Sequence, residues 1–381
     1  METPQMQQHI ANIFKERFGK EGTLYASAGR INLIGEHTDY NGGFVFPGAI
    51  DKVIMAAFLP IDSDKVRVWS VDISEYSDFG LNEEDAPAES WARYIFGVCR
   101  EIIKRNGCVR GFDAVFAGNV PLGAGLSSSA ALESCFAFAL NDLFNEGKLP
   151  KFELALIGQS TEHNYCGVKC GIMDQFASVF GKKGNLMRLD CRSLEYEYFP
   201  FDPKGYELVL IDSKVKHELK DSPYNRRRES CERVARRLGV DTLRDADMDM
   251  LQAAKADISH EDFIRAKYVI EEKQRVLDVC DALTKGDYET VGSKMYQTHE
   301  GLSKDYEVSC EELDFLNNIA RETGVTGSRI MGGGFGGCTI NLVKKELHDK
   351  FIEEAKLRFN KKYGHTPEVY DVIISDGARK I

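Results

Sequence analysis

The sequence predicts a mixed fold of strands and helices divided between two domains. The 381 residues, 43% of them hydrophobic, are more than one core usually holds. Runs rich in Val, Ile and Phe alternate with segments of helical period along the chain. The texture changes after Asn185, which puts the domain boundary near Asp190 and divides 1–190 from 191–381.

Taken in order, His9 to Phe18 reads as a short amphipathic helix with Ile10, Ile13, Phe14 and Phe18 on one face. Leu24 begins a strand that runs into a loop, Gly35 to Gly43, crowded with Glu36, His37, Asp39 and Asn41. Such side chains can satisfy several hydroxyl groups at once, as a sugar demands. On composition they suit a solvated turn equally well, and Asn41-Gly42 is a turn signal. Phe44 to Pro60 and Val66 to Val71 read as strands, Trp91 to Lys104 as a helix and Phe112 to Phe116 as a strand.

That last strand feeds the stretch on which the chain is organised. Gly123 and Gly125 are followed by Ser127, Ser128 and Ser129 and by the apolar run Ala130 to Leu140. Glycines allow positive φ and close approach of a ligand, and serines are good N-caps. A glycine loop feeding a helix N-terminus presents free N–H groups and the positive end of a dipole, which is an anion site and most often a phosphate site. No Lys follows the second glycine at Walker spacing. The plainer reading is a tight turn capped by serines.

Phe152 to Asn164 reads as a helix carrying Glu162, and Gly171 to Phe180 sets Asp174 among Ile172, Met173 and Phe176. An Asp in such company is either a cap or a residue with a chemical task. Leu186 to Leu189 and Glu207 to Ile211 read as strands. Tyr224 to Leu238, Phe263 to Leu283 and Glu311 to Arg321 read as helices. Glu229–Arg233 and Glu232–Arg236 make the first of these a solvated, charge-paired face. Met331 to Cys338 matches Gly-x-Gly-x-x-Gly by spacing, but the strand-like Thr339 to Val343 behind it makes it a close-approach loop in a hairpin.

Composition narrows the partners. The net charge of −11, from 60 acidic and 49 basic residues, argues against a nucleic-acid or anionic-membrane surface. Ten cysteines without a Cys-x-x-Cys or zinc spacing suit idle thiols in a reducing compartment. The N-terminus shows no signal-peptide pattern, and the longest uncharged run, Ala114 to Leu132, is broken by Gly and Pro. The expectation is a cytoplasmic protein with no obligate protein partner.

Three stretches together carry a resemblance. Gly29 to Gly43 (GRINLIGEHTDYNGG) resembles the galactokinase signature. Val120 to Ala131 resembles the phosphate loop of the GHMP kinases, and Met331 to Cys338 the third motif of that superfamily. Glu162 to Asn164, Cys170 to Gln175, Tyr224 to Arg228 and Asp305 to Cys310 match as well, so the resemblance runs from about Leu24 to Gly377. It implies an α+β, two-lobed GHMP kinase fold, with mixed sheets, helices packed on them and the active site between the lobes. It implies an ATP-dependent sugar kinase that phosphorylates the C1 hydroxyl of α-D-galactose with Mg²⁺.

By the same resemblance Asp174 is the catalytic base and Arg30 its neighbouring cation. Glu36, His37, Thr38, Asp39 and Tyr224 are sugar contacts. Gly123, Ala124, Gly125, Leu126, Ser127, Ser128 and Ser129 cradle the triphosphate. Ser70 and Trp91 touch the nucleotide, and Ser129 and Glu162 hold the metal. Ser and Glu are hard oxygen ligands suited to Mg²⁺, and metal plus helix N-terminus would do the charge neutralisation of a Walker Lys. Ala124 stands where some relatives have Gly, and Pro223 precedes Tyr224 where Glu is usual. Related sugar kinases acting on N-acetylgalactosamine or arabinose share much of the pattern. So do non-catalytic galactose sensors, in which Ser-Ser-Ser-Ala is damaged; here Ser127 to Ala130 is whole.

Overall fold

The computed structural model describes residues 3–215 and 223–381. The chain opens with helix α1 (Thr3–Phe18) and continues through strands β1 (Thr23–Asn32), β2 (Phe44–Val45), β3 (Pro47–Pro60), β4 (Lys65–Ser70) and β5 (Glu75–Gly80). Helix α2 (Ser90–Lys104) and strand β6 (Phe112–Gly118) lead to α3 (Ser128–Asn145), α4 (Lys151–Thr161) and α5 (Met173–Phe180). Strands β7 (Asn185–Asp190), β8 (Tyr196–Pro200) and β9 (Tyr206–Asp212) precede helices α6 (Pro223–Leu238), α7 (Met248–Ala253), α8 (His260–Thr284), α9 (Tyr288–Glu300) and α10 (Glu311–Glu322). The chain closes with β10 (Gly327–Ile330), β11 (Cys338–Lys344), α11 (His348–Tyr363), β12 (Glu368–Val372) and β13 (Arg379–Lys380).

The strands form sheets of order β13-β1-β3-β6-β4-β5, β10-β11-β9-β12 and β2-β7-β8. In the first sheet only the β4–β6 pairing is parallel among the described pairs. Its two faces separate by the two-residue period of a strand. Ala56 and Phe58 of β3 face the main core, while Val53, Met55 and Ala57 face Met6, Ile10 and Phe14 of α1. On the core face lies α3, whose buried Ala130, Ala131, Ala137 and Ala139 let it sit close to the sheet, with α2, α4 and α5 around it.

The expected strands and helices are present, with two differences. The continuous Phe44–Pro60 strand is split at Phe46, because Phe46 N donates to Ile34 O and to Asn32 Oδ1 instead of joining the sheet ladder. The Phe152–Asn164 helix ends as an α-helix at Thr161 and continues as a π-turn over Glu162–Cys166. The residues near Asp190 lie in the β7–β8 hairpin, and the last strand, β13, returns to pair with β1. One hydrophobic core runs from Tyr25 to Ile374, so both halves of the chain share it. All ten cysteines are free thiols.

Candidate active site

Strand β1 ends in a bulge: its register on β3 shifts between Ala28 and Arg30. Such a shift re-aims the next side chain. Gly29 is there because a Cβ would lie 2.8 Å from Leu126 O. Arg30, 3% exposed, is turned toward the start of α5. Its Nε donates to Asp174 Oδ1 at 2.7 Å and its Nη2 to Oδ2 at 2.9 Å, the two-pronged geometry that fixes a carboxylate in orientation. Its Nη1 donates to Gly125 O at 2.5 Å, and its N–H to Leu126 O at 3.1 Å. Asp174 lies in the first turn of α5 but is no cap: the N-cap position is Ile172. The choice the sequence left open is decided for a side chain bound to a cation.

The glycine loop turns sharply. Gly123, Gly125 and Ser127 have φ of 76°, 76° and 58°. Only Ser127 among them is strained there, since a Cβ disfavours that region. Ser127 is the N-cap residue of α3, yet its side chain makes no cap bond; Oγ donates to Asp174 Oδ2 at 2.5 Å. The loop thus grips the carboxylate from one side while Arg30 grips it from the other. Facing this loop is the second one. Cβ atoms placed on Gly332 and Gly337 would lie 3.6 Å from Gly125 Cα and from Ala124 C, so the two glycine loops meet backbone to backbone. This second loop joins β10 and β11, as expected of a hairpin.

One turn along α3 from the loop, a group of acids is buried. Glu162, 6% exposed, bonds to Ser129, and burial, with the nearby Asp174 charge, raises its pKa to about 7. Glu133 is fully buried; burial, followed by the charge of Glu162, pushes its carboxyl well above the usual range. Gln175 Nε2 donates to Glu133 Oε2 at 3.1 Å, while Glu133 Oε1 and Gln175 Oε1 have no partner. Sequence reasoning missed Glu133. The signal was an acid inside the apolar run that forms α3.

The Gly35–Gly43 loop is held by the C-terminal half of the chain. Glu272 Oε1 on α8 accepts from Gly35 N at 2.8 Å, and Tyr268 Oη donates to Glu36 O at 3.0 Å. Arg329 on β10, wholly buried, donates to Glu36 Oε2 at 2.7 Å and Leu33 O at 2.8 Å, and also to Asn32 O. Gly332 N donates to the same Oε2 at 2.8 Å, and Asn32 Nδ2 to Oε1 at 2.9 Å. Arg329 was also missed, because nothing local in the sequence separates it from an ordinary exposed arginine.

His37 adopts φ 62°, and burial lowers its pKa to about 4, so the ring is neutral. It contacts Tyr40 Oη at 2.7 Å through Nδ1 and Gly333 O at 3.2 Å through Nε2. Asp39 is raised to about 6 by burial, with the charges of Asp174 and Glu36 adding to it. A Cβ on Gly171 would lie 1.8 Å from Asp39 Oδ2, so glycine is required there. Both residues line a cavity of about 190 Å³, together with Gln159, His163, Cys191 and Arg228.

Thr38 stands apart from the expected sugar contacts. It is fully buried, and Oγ1 points to Gly35 O at 2.9 Å and Phe44 O at 2.5 Å, which closes the turn. Tyr224 is in the first turn of α6, and its side chain lies outside the described residues. Ser70 and Trp91 meet at one point: Ser70 pairs with Phe116 across β4–β6, and the Trp91 ring sits 5.5 Å from that of Phe116, two residues before Gly118. Ser70 itself is 3% exposed. Among the described residues no group of three or more His, Cys, Asp or Glu is arranged to hold a metal ion, and no helix is long and apolar enough to cross a membrane.

Comparison with known proteins agrees with this arrangement. Residues 12–60 match the galactokinase galactose-binding signature, 93–182 the GHMP kinases N terminal domain and 280–361 the GHMP kinases C terminal domain. The chain is 42% identical over 355 residues to a galactokinase of Thermotoga petrophila, covering 93% of this chain and 98% of that one. It is 39% identical over 387 residues to a galactokinase of Enterococcus faecalis, covering 99% and 100%. The crystal structure of Lactococcus lactis galactokinase complexed with galactose superposes with a TM-score of 0.94 at 32% identity, covering 98% of this chain and all of that one. A mevalonate kinase of Methanococcus jannaschii, 18% identical with a TM-score of 0.66 over 93% of this chain and 99% of that one, shares the fold.

Proposed function

The chain belongs to the galactokinase family of the GHMP kinases and is an ATP-dependent sugar kinase, and from that premise we propose how its residues divide the reaction. The reaction transfers the γ-phosphoryl group of ATP to the C1 hydroxyl of α-D-galactose, giving galactose 1-phosphate and ADP. The observation that carries the assignment of roles is the two-pronged Arg30–Asp174 pair set against the glycine loop.

Asp174 accepts the proton of the C1 hydroxyl as that oxygen bonds to phosphorus. Arg30 holds the carboxylate in its aim, and its own charge faces the oxygens on which negative charge gathers. The backbone N–H groups of the loop and the N-terminus of α3, from Gly123 to Ser129, cradle the phosphates. The indole of Trp91 offers a face to the adenine, and Ser70, paired with Phe116 across the strands, stands beside it as the second nucleotide contact. Asp39 receives sugar hydroxyls, as does Glu36 through the lone pair that Oε1 keeps beside its bond from Asn32, while the neutral His37, its ring nitrogens held by Tyr40 and Gly333 O, meets the sugar as a fixed wall. Thr38 shapes the loop instead, and the family resemblance adds Tyr224 as a sugar contact.

Mg²⁺ fits Ser129 and Glu162. A buried carboxyl held near neutrality beside a hydroxyl is a site that gains by taking a cation. When bound there the ion would supply charge neutralisation on the triphosphate. Both substrates are small and polar, which suits a cytoplasmic enzyme.

The test is a panel of sugars with ATP and Mg²⁺, reading ADP release and the phosphorylated position. Galactose is expected to turn over best. Glucose differs only at C4 and should be strongly rejected, because its hydroxyl leaves buried polar groups unpaired. Equal rates with both would overturn the assignment. Faster turnover of N-acetylgalactosamine would move the chain to a sister activity.

A further inference from the structure

Ser127 is the residue in the glycine loop whose behaviour the phosphate cradle does not explain. It stands at the N-cap of α3, where a serine hydroxyl ordinarily bonds a backbone N–H of the first turn, and makes no such bond. It holds φ 58° and ψ 56°, the left-handed conformation that a side-chain-bearing residue disfavours. Its hydroxyl is instead given to Asp174 Oδ2. The same oxygen already accepts from Arg30 Nη2, and Arg30 is itself fastened to Gly125 O and Leu126 O. Loop, cation and base are therefore one hydrogen-bonded unit, with a strained residue at its joint. Strain held in place by surrounding bonds is commonly part of a working mechanism.

We propose that Ser127 is a positioning residue that couples nucleotide binding to the catalytic carboxylate. This rests on the roles assigned above to Asp174 and to the loop. A hydroxyl has one proton to donate, so Ser127 can serve Asp174 or a phosphate oxygen but not both at once. With the loop free of phosphate, the hydroxyl occupies Asp174 Oδ2 and competes with the C1 hydroxyl of the sugar. A triphosphate in the loop draws the hydroxyl to an anionic oxygen, and the freed Oδ2 lone pair receives the sugar. Nucleotide and galactose then bind synergistically, and by linkage each tightens the other by the same factor.

The experiment is calorimetric titration of galactose into the full chain, with and without saturating Mg²⁺ and a non-hydrolysable ATP analogue. Wild type is compared with Ser127→Ala and Ser127→Gly. Glycine suits the left-handed conformation, so that variant tests the hydroxyl without adding strain. In wild type the analogue is expected to tighten galactose by roughly tenfold or more, the scale of one hydrogen bond to a charged group. In both variants galactose should bind more tightly than in wild type before any nucleotide is added, and the analogue should then change its affinity by less than about twofold. Synergy of wild-type size in either folded variant overturns the proposal, as does a wild type that binds galactose without synergy. A wild type that binds no galactose at all overturns the sugar-site reading itself, and so separates the two failures.

Discussion

Replacing Glu162 by Gln removes a charge from a buried place while keeping the shape. In the metal-free protein the carboxyl is 6% exposed and is raised from 4.5 to about 7, by burial first and then by the nearby Asp174 charge. At about 1.4 kcal/mol per pH unit, that rise amounts to about 3 kcal/mol. The sign follows from which state holds the proton more tightly. The folded protein does, so this stabilisation is fully present below pH 4.5 and is lost as pH rises through 7. At pH 8 wild type buries a carboxylate that the Gln variant does not have, and the variant should melt higher. At pH 5 wild type is protonated, and the advantage should shrink by most of 3 kcal/mol, or roughly 4 °C for a chain of 381 residues. The assay is a series of thermal melts between pH 5 and 8 in chelator. Adding Mg²⁺ at pH 8 should raise the wild-type melting temperature and leave the variant where it is. A difference between the two proteins that does not change with pH would refute the reasoning.

Asp39, raised to about 6 by burial, should lose its charge as pH falls from 7 to 5. Galactose affinity by calorimetry should drop about tenfold over that range, and Asp39→Asn should bind weakly with no such slope. Gly171→Ala should displace Asp39, because the new Cβ would fall 1.8 Å from Oδ2. Galactose affinity should weaken at least about tenfold while nucleotide affinity, measured separately, holds. Arg329→Met strands the buried Glu36 carboxylate without its cation and should cost about 3–5 kcal/mol in urea unfolding. Adding Glu36→Gln should recover much of that loss.

Much of this site is written locally in the chain. Glycine spacing, the serine triplet and the crowded Glu36 to Asp39 loop lie within short windows, and alternating apolar residues located the strands that carry them. What could not be read depends on distant partners. The aim of Ser127 is set by Asp174, 47 positions on, which outcompetes the local N-cap bond the sequence suggested. The resemblance made Thr38 a sugar contact, and nothing in the sequence tells that Phe44 O and Gly35 O accept from its hydroxyl. The π-turn that presents Glu162 leaves no mark in composition, since it is one helix giving way to a wider one. Helices α9 and α11 carry weak apolar stripes and form because α8, β10 and α10 offer them a surface. The return of β13 to β1 joins residues more than 350 positions apart and has no short-range signal.

The role of Asp174 is open to one decisive measurement. Asp174→Asn keeps the shape of the side chain and removes the proton acceptor and the charge that Arg30 holds at 2.7 Å. Single-turnover and steady-state rates with ATP, Mg²⁺ and galactose, taken beside a thermal melt and a galactose titration, separate chemistry from folding and binding. A folded variant should bind galactose with modestly lower affinity and lose kcat by about 10²–10⁴-fold or more. A folded variant whose kcat stays near that of wild type would contradict the assignment of Asp174 as the base.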